Sequence, residues 1–359
     1  MEDLESLRAR MREIDLQLVA LAAERVRLAR SLGEIKRSQD LPVVDYAQER
    51  VVLDRARRAA DRHGLDPRVA EDLLARLIRA SVTAQEEDRV RLSATGVGKT
   101  AVVVGGAGRM GRWFVRFLTA QGYAAGALDP AAPESENSWA RERLGAADLV
   151  VCTAPPAAVA ERYGAWVSEP PRGVVFDIAS IKTPLLEPIR RLRERGARVA
   201  SIHPMFGPDI ALLRDADVVV CDTGDEAAEE AVEDLFRPTT VRLVRVPLEE
   251  HDRIMGDLLS LAHAAAIAFA LSLPEEGHPV RSTTFQALQS LAAEVVRESP
   301  EVYYEIQSGN PHSASAVEKL ERALRRIAGA VGARSFDDFR ALLAEGRART
   351  SRVARDGPE

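Results

Sequence analysis

Two short runs could do chemistry together. His203-Pro204-Met205-Phe206-Gly207-Pro208 carries an imidazole, which titrates near neutrality and can accept a proton. About a hundred residues upstream, Gly106-Ala107-Gly108-Arg109-Met110-Gly111 has the spacing of a turn that receives a dinucleotide pyrophosphate. It follows the apolar run Ala101–Val104 and precedes a helix-like stretch from Trp113 to Gln121. The glycines would let the backbone approach the phosphates, and the helix start would offer free N–H groups. Asp129 closes the next apolar stretch, Ala124–Leu128, where a carboxylate accepts ribose hydroxyls and repels a 2′-phosphate. NAD is therefore the expected cofactor, held by Gly106, Gly108, Arg109, Met110, Gly111 and Asp129.

His203 ends the strand-like run Arg198–Ile202, where doubly wound sheets hold their ligands. A second strand end carries Asp177-Ile178-Ala179-Ser180-Ile181-Lys182. The Ser180 hydroxyl there either orients the imidazole or the substrate, or caps the next helix.

The elements that must position these groups show in the periodicity. From Glu2 to about Asp40 there is no proline and a single glycine, while Leu4, Leu7, Met11, Ile14, Leu18, Leu21, Leu28, Leu32 and Ile35 recur at three- and four-residue steps. This predicts one amphipathic helix roughly 50 Å long. Arg25 is the one break in its stripe. A second helix fits Tyr46–His63, closed by Gly64, and a third opens at Asp66-Pro67 and runs to about Glu87. Three such helices cannot cover the long apolar stripe alone, which predicts a homodimer.

Leu92–Gly98 is small, polar and glycine-bearing, and reads as a linker. Strand-like runs then alternate with helical patterns: Ala101–Val104, Leu149–Thr153, Val174–Ile178, Arg198–Ile202 and Asp217–Cys221. That is the rhythm of an α/β doubly wound parallel sheet. From about Leu248 strand signals stop, and Met255–Leu273, Phe285–Arg297 and Ala314–Val331 predict an all-helical region with an alanine-rich helix suited to a dimer core. The expected units are an all-α domain over 1–91, a linker over 92–98, an NAD-binding α/β domain over 99–247, an all-α domain over 248–346, and a frayed polar tail over 347–359.

Across 359 residues the net charge is only −6, with both signs interspersed, which points away from nucleic acid and membrane surfaces and toward small-molecule substrates. Cys152 and Cys221 both lie in strand-like runs, and no Cys/His cluster suggests a metal. With no export-type segment at the N-terminus, a reducing cytoplasm is expected.

Residues 99 to about 345 resemble prephenate dehydrogenase, on the glycine turn with Arg-Met-Gly, the Asp-x-x-Ser-x-Lys strand end, the His-Pro-Met-Phe-Gly-Pro run, and Glu250-His251-Asp252 followed by His263. Residues 1 to 90 resemble the all-helical chorismate mutases, and the order of the two halves is that of the fused T-protein family. The resemblance implies a bifunctional enzyme of tyrosine biosynthesis that rearranges chorismate to prephenate and oxidatively decarboxylates prephenate to 4-hydroxyphenylpyruvate with NAD. It implies His203 as general base, Ser180 holding the C4 hydroxyl or the ring of His203, and His251 and His263 lining the pocket. For His263 a satisfied core histidine is an equal reading.

In the mutase half the resemblance implies that Arg8 and Arg25 bind carboxylates, Lys36 and Gln85 the ether oxygen, and Asp45, Glu49 and Ser81 the remaining polar atoms. The rearrangement is pericyclic, so cations and amide donors that hold the reactive conformer suffice. Arg25 and Lys36 are eleven residues apart, about three turns, and so share a helix face.

Two positions depart from the family. The residue before Glu49, usually arginine, is Gln48. On the helix containing Leu291–Arg297, the position that normally pairs with the ring carboxylate of prephenate matches Glu294, and Arg297, one turn on, offers a replacement. A glutamate there repels a carboxylate. An amine in place of the C4 hydroxyl accounts for both changes and makes 4-amino-4-deoxychorismate and 4-amino-4-deoxyprephenate the alternative substrates. A third reading is a catalytically silent NAD-binding regulatory protein.

Overall fold

A computed structural model describes residues 3–39, 41–208, 210, 213, 216–276, 280, 282–297 and 299–353. The chain divides into two compact units, Met1–Ala179 with Glu187–Leu248, and Ser180–Leu186 with Glu249–Glu359.

The first unit opens with three helices, α1 (Leu4–Ser38), α2 (Tyr46–His63) and α3 (Pro67–Ser93). Each begins on an aspartate whose carboxylate accepts a free N–H of the first turn: Asp3 from Ser6, Asp45 from Gln48 and Asp66 from Arg68. Gly64 closes α2 at φ 68°, a left-handed conformation that glycine adopts without strain. Both α1 and α2 pack on α3. In α1 only Ala29 is buried; Leu4 and Met11 are each 64 % exposed, so the apolar stripe lies uncovered in the single chain.

Helix α3 runs past its expected end near Glu87 to Ser93, because Val90 enters the hydrophobic cluster of the sheet. The segment read as a linker is instead a pinned turn. Ala94 is left-handed at φ 46°, the Gly96 N–H donates to the Gln121 carbonyl at 3.0 Å, and the Thr95 hydroxyl donates to Gln121 Oε1 at 2.9 Å. A Cβ on Gly96 would fall 2.0 Å from the Tyr123 ring, so only glycine fits there.

The sheet layer follows as β1 (Thr100–Val104), α4 (Arg109–Ala120), β2 (Ala124–Leu128), α5 (Glu134–Arg143), β3 (Leu149–Cys152), α6 (Pro156–Trp166), β4 (Val174–Asp177), a 3₁₀ turn (Thr183–Leu185) leading into α7 (Leu186–Glu194), β5 (Arg198–Pro204), β6 (Asp217–Asp222), α8 (Glu226–Phe236) and β7 (Arg242–Pro247). Among the described residues the sheet has seven strands in the order β2-β1-β3-β4-β5-β6-β7. Trp113, Phe114, Phe117, Phe176 and Phe236 pack in its core cluster.

The expectation of a wholly parallel sheet fails at one pair: β6 runs antiparallel to β5, with His203 opposite Val219. The described residues between these strands form no helix, and without a helical crossover adjacent strands run antiparallel. Strand β7 was not foreseen, because Arg242 and Arg245 interrupt its apolar pattern. They pair with Asp217 and Glu233, each at 2.6 Å, and charge the edge of the sheet.

The second unit is helical: α9 (His251–Met255), a π turn (Gly256–Ser260), α10 (Leu261–Leu271), α11 (Thr283–Arg297), α12 (Pro300–Gly309), α13 (Ser313–Gly332) and α14 (Phe336–Val353). The π turn is held by Gln307 donating to the Ser260 carbonyl at 3.0 Å and by the Ser260 and Ser313 hydroxyls at 2.6 Å. Helix α10 packs on α11 and α13. The run His251–Leu271 is long and apolar enough, at mean hydropathy 1.8, to cross a membrane by length and composition alone. Arg347 to Val353, expected to fray, continue α14, and residues 354–359 lie outside the described ones.

Candidate active sites

Between α1, α2 and α3 lies a cavity of about 280 Å³ lined by Arg25, Lys36, Asp45, Gln48, Glu49, Ser81 and Gln85 over an apolar floor that includes Val52 and Ile78. Six of the seven residues expected in one site are therefore together; Arg8 is not. Arg25 breaks the apolar stripe of α1 because it turns toward α3, where its Nη1 donates to the Leu77 carbonyl at 2.7 Å and to Ser81 Oγ at 2.5 Å. Burial lowers its pKa. Lys36 Nζ donates to the Val43 carbonyl at 2.8 Å.

Asp45 has a second role that the sequence reading did not assign, since its carboxylate caps α2. Gln85 is 7 % exposed, and its Oε1 is buried without a hydrogen-bond partner. A buried amide with an unsatisfied end is costly unless a ligand completes it. Gly33, the one glycine of α1, makes room for it: a Cβ there would fall 2.8 Å from Gln85 Cγ.

At the β1–α4 turn a groove of about 520 Å³ is lined by Gly105, Gly108, Asp129, Thr153 and Arg162, among others. Of the six residues expected to hold a dinucleotide, Gly108 and Asp129 line the groove directly. Gly106 and Gly111 shape it: a Cβ on Gly106 would fall 2.4 Å from Ala127 Cβ, and one on Gly111 would fall 2.2 Å from the Gly105 carbonyl. Arg109 and Met110 open α4, whose N-cap, Gly108, has no side chain to cap the helix start. The Asp129 carboxylate accepts the Ala107 N–H at 3.2 Å and the Ala131 N–H at 2.8 Å. Gly105, at φ 81°, makes the sharp turn itself and was missed because it precedes the motif.

His203 is 5 % exposed on β5, the neighbour of β4, with Asp177 opposite Ser201. Ser180, His251, His263 and Arg297 belong to the second unit. Ser180 does not cap the next helix, whose N-cap is Lys182. The anchor of that turn is Asp252, which the sequence reading quoted but gave no role. Its carboxylate accepts the Lys182 N–H, the Thr183 N–H and the Thr183 hydroxyl at 2.6–2.7 Å, and lies 2.7 Å from His251 Nδ1. His251 is fully buried in this contact. His263 meets the Tyr303 ring edge-on at 4.4 Å, its Nδ1 is buried without a partner, and burial lowers its pKa. Glu294 and Arg297 are both exposed on α11.

Burial alone would raise the Asp252 pKa, but hydrogen bonds from His251, Thr183 and the backbone of Lys182 and Thr183 outweigh it and hold the carboxyl at about 2, against 3.8 for a free aspartate. A depressed carboxyl stabilises the fold above its unfolded pKa, and that contribution is lost as pH falls through the folded value. Asp252→Asn is therefore expected to lower stability by about 2 kcal/mol at pH 7, with the gap to the parent closing between about pH 4 and pH 2. Thermal unfolding of both proteins across that range measures it; a gap that does not depend on pH contradicts it.

Two family descriptions match the sequence: chorismate mutase type II over residues 7–86, and the dimerization domain of prephenate dehydrogenase over residues 247–345. The T-protein of Enterobacter agglomerans is 27 % identical over 350 residues, covering 95 % of this chain and 91 % of that protein. The 4-amino-4-deoxyprephenate dehydrogenase of Streptomyces pristinaespiralis is 31 % identical over 266 residues, covering 68 % of this chain and 88 % of that protein. The chain belongs to the T-protein family, a chorismate mutase fused to a prephenate dehydrogenase. Among solved structures, the A. aeolicus prephenate dehydrogenase in complex with hydroxyphenyl propionate and NAD⁺ shares the fold, with a TM-score of 0.57 at 17 % identity over 71 % of this chain and 98 % of that one.

In this chain, Gln48 lines the mutase cavity where the resemblance implies an arginine. The cavity therefore presents two cations, Arg25 and Lys36, against two carboxylates, Asp45 and Glu49.

Proposed function

We propose that the cavity between α1, α2 and α3 rearranges chorismate to prephenate, and that the dehydrogenase half oxidises prephenate to 4-hydroxyphenylpyruvate with NAD, in tyrosine biosynthesis. The observation that carries this reading is the set of six polar residues around an unsatisfied Gln85 amide, on the same chain as a glycine-turn groove closed by a carboxylate. A catalytically silent protein has no use for the first of these.

The rearrangement moves no proton, so the cavity has only to hold the diaxial conformer and stabilise charge growing on the ether oxygen. Arg25 faces a substrate carboxylate, Lys36 and Gln85 the ether oxygen, and Asp45, Glu49 and Ser81 the other polar atoms. Turned about its last torsion, the Gln85 amide presents its NH₂ to that oxygen. Arg8 lies seventeen residues before Arg25 on one straight helix, roughly 25 Å along its axis, so it cannot enter the cavity of its own chain. A second copy laid along the exposed stripe of α1 would bring its own Arg8 there, which supports a homodimer.

Gly33→Ala tests the cavity. Alanine favours a helix over glycine by up to about 1 kcal/mol, which offsets part of the cost of the methyl group meeting buried Gln85. Its methyl group displaces Gln85, and mutase kcat/KM is expected to fall on the order of tenfold to a hundredfold while dehydrogenase activity holds. An unchanged mutase rate contradicts the role given to Gln85.

In the dehydrogenase half, Gly105, Gly106, Gly108 and Gly111 leave the open backbone a pyrophosphate needs at the start of α4, and Asp129 offers the ribose acceptor. NAD supplies the hydride acceptor. His203 accepts the C4 hydroxyl proton as hydride leaves C4, and loss of CO₂ from C1 restores aromaticity. Ser180 holds the hydroxyl or the ring, and His251, His263 and Arg297 belong to the substrate side. Two free, buried cysteines fit a reducing cytoplasm.

A second reading is favoured by two observations: Gln48 in the mutase cavity, and 31 % identity to a 4-amino-4-deoxyprephenate dehydrogenase. With a C4 ammonium on the substrate, the Asp45 and Glu49 carboxylates that line the cavity would face a cation. The deciding experiment gives the purified protein NAD⁺ with prephenate or 4-amino-4-deoxyprephenate, and the two corresponding chorismates without NAD⁺. Higher kcat/KM on the hydroxyl substrates supports the first reading, and higher kcat/KM on the amino substrates replaces it with the second.

A further inference from the structure

Glu86 follows Gln85 on α3 but points away from the mutase cavity. Glu86 is 5 % exposed, and among the described residues its donors are neutral groups of the sheet layer. Oε1 accepts the Thr240 N–H at 2.5 Å and the Thr240 hydroxyl at 2.7 Å, and Oε2 accepts the Leu213 N–H at 3.3 Å. Thr240 lies two residues before β7. Leu213, 7 % exposed in the core cluster, belongs to the connection that leaves β5 just beyond His203 and enters β6, the strand that pairs with it.

We propose that Glu86 is a positioning residue for the dehydrogenase reaction, supplied by the helix that carries Ser81 and Gln85 of the mutase site. One carboxylate thereby ties the segment following His203 and the entry to β7 to α3. The residue type fits the task, since a carboxylate accepts on both oxygens, a glutamine on one, and an alanine on neither. The proposal rests on the functional reading above.

The test compares Glu86→Ala, Glu86→Gln and Thr240→Val in the full chain. Dehydrogenase kcat/KM is expected to fall about tenfold in Glu86→Ala and less in Glu86→Gln and Thr240→Val, with mutase kcat/KM within about twofold of the parent in all three. Amide hydrogen exchange should accelerate over residues 205–216 and not over α1 and α2. A folded Glu86→Ala protein with unchanged dehydrogenase kinetics overturns the proposal. So does a parallel loss of both activities with exchange raised throughout the three helices, since that marks a purely structural role. If Glu86→Ala does not fold, the other two variants decide by the same criteria. If the parent turns over none of the four substrates, the functional reading fails, and the exchange pattern alone still decides whether Glu86 holds that segment.

Discussion

His203→Asn should abolish NADH formation while chorismate continues to disappear at nearly the parental rate. Asparagine is polar and smaller than histidine, and the strand pairing of β5 with β6 runs through the backbone, so the sheet has no reason to fail. What is lost is the only atom type at that position able to take a proton at neutral pH. General base catalysis contributes typically about 10²–10⁴-fold, and the loss of dehydrogenase kcat should fall in that range. The mutase cavity is lined by α1, α2, α3 and the segment joining α1 to α2, and by no residue of β5, so its rate is predicted to be unaffected. Following chorismate loss and NADH gain separately, each with its own substrate supplied, makes the measurement. If both rates collapse together in a folded variant, independent sites are the wrong description.

The mirror experiment is Arg25→Ala. This removes a half-buried guanidinium that already spans the Leu77 carbonyl and the Ser81 hydroxyl, and with it one of the two cations of the cavity. Mutase kcat/KM should drop by a factor on the order of 10²–10³, the usual scale for removing one preorganised charge-stabilising donor. Dehydrogenase kinetics with added prephenate should stay at the parental level. Arg25→Lys is expected to recover only part of the loss, because an ammonium lacks the planar fork that reaches two acceptors at once. Full activity in the lysine variant would mean that position 25 supplies charge alone.

The helices of the first unit were readable because their signals are local. Gly64 and a three-and-four repeat broken only at Arg25 locate α1 and α2 within a residue or two. The end of α3 was not readable, since Val90 continues the helix only because a sheet lies there to receive it. The same holds for β7, whose arginines look like a solvated run until Asp217 and Glu233 appear opposite them. Strand direction was hidden too: periodicity reports a strand but not its sense, and the reversal at β6 follows from the path of the chain after His203.

The candidate sites divide along similar lines. Residues on one helix face at whole-turn spacing, such as Arg25 with Lys36 and Ser81 with Gln85, come together as their spacing requires. Gly105, Gly33 and Asp252 were harder to see. The first two act by lacking a side chain next to something distant in sequence, and Asp252 by anchoring a turn about seventy residues away. Arg8 lies outside the cavity of its own chain, and a motif match carries no information about which copy of the chain a residue serves.

The burial of Val90 sets a limit on how this protein can be taken apart. A fragment that starts at residue 99, where the α/β half begins by pattern, would take Val90 out of the core cluster of the sheet, at a cost on the order of 1–3 kcal/mol. Any autonomous oxidising fragment therefore has to begin near Asp66 and bring α3 along, stripped of the two helices that complete its other face. Fusion here is a shared piece of scaffold, and an evolutionary or engineered separation of the two catalysts would first have to duplicate it.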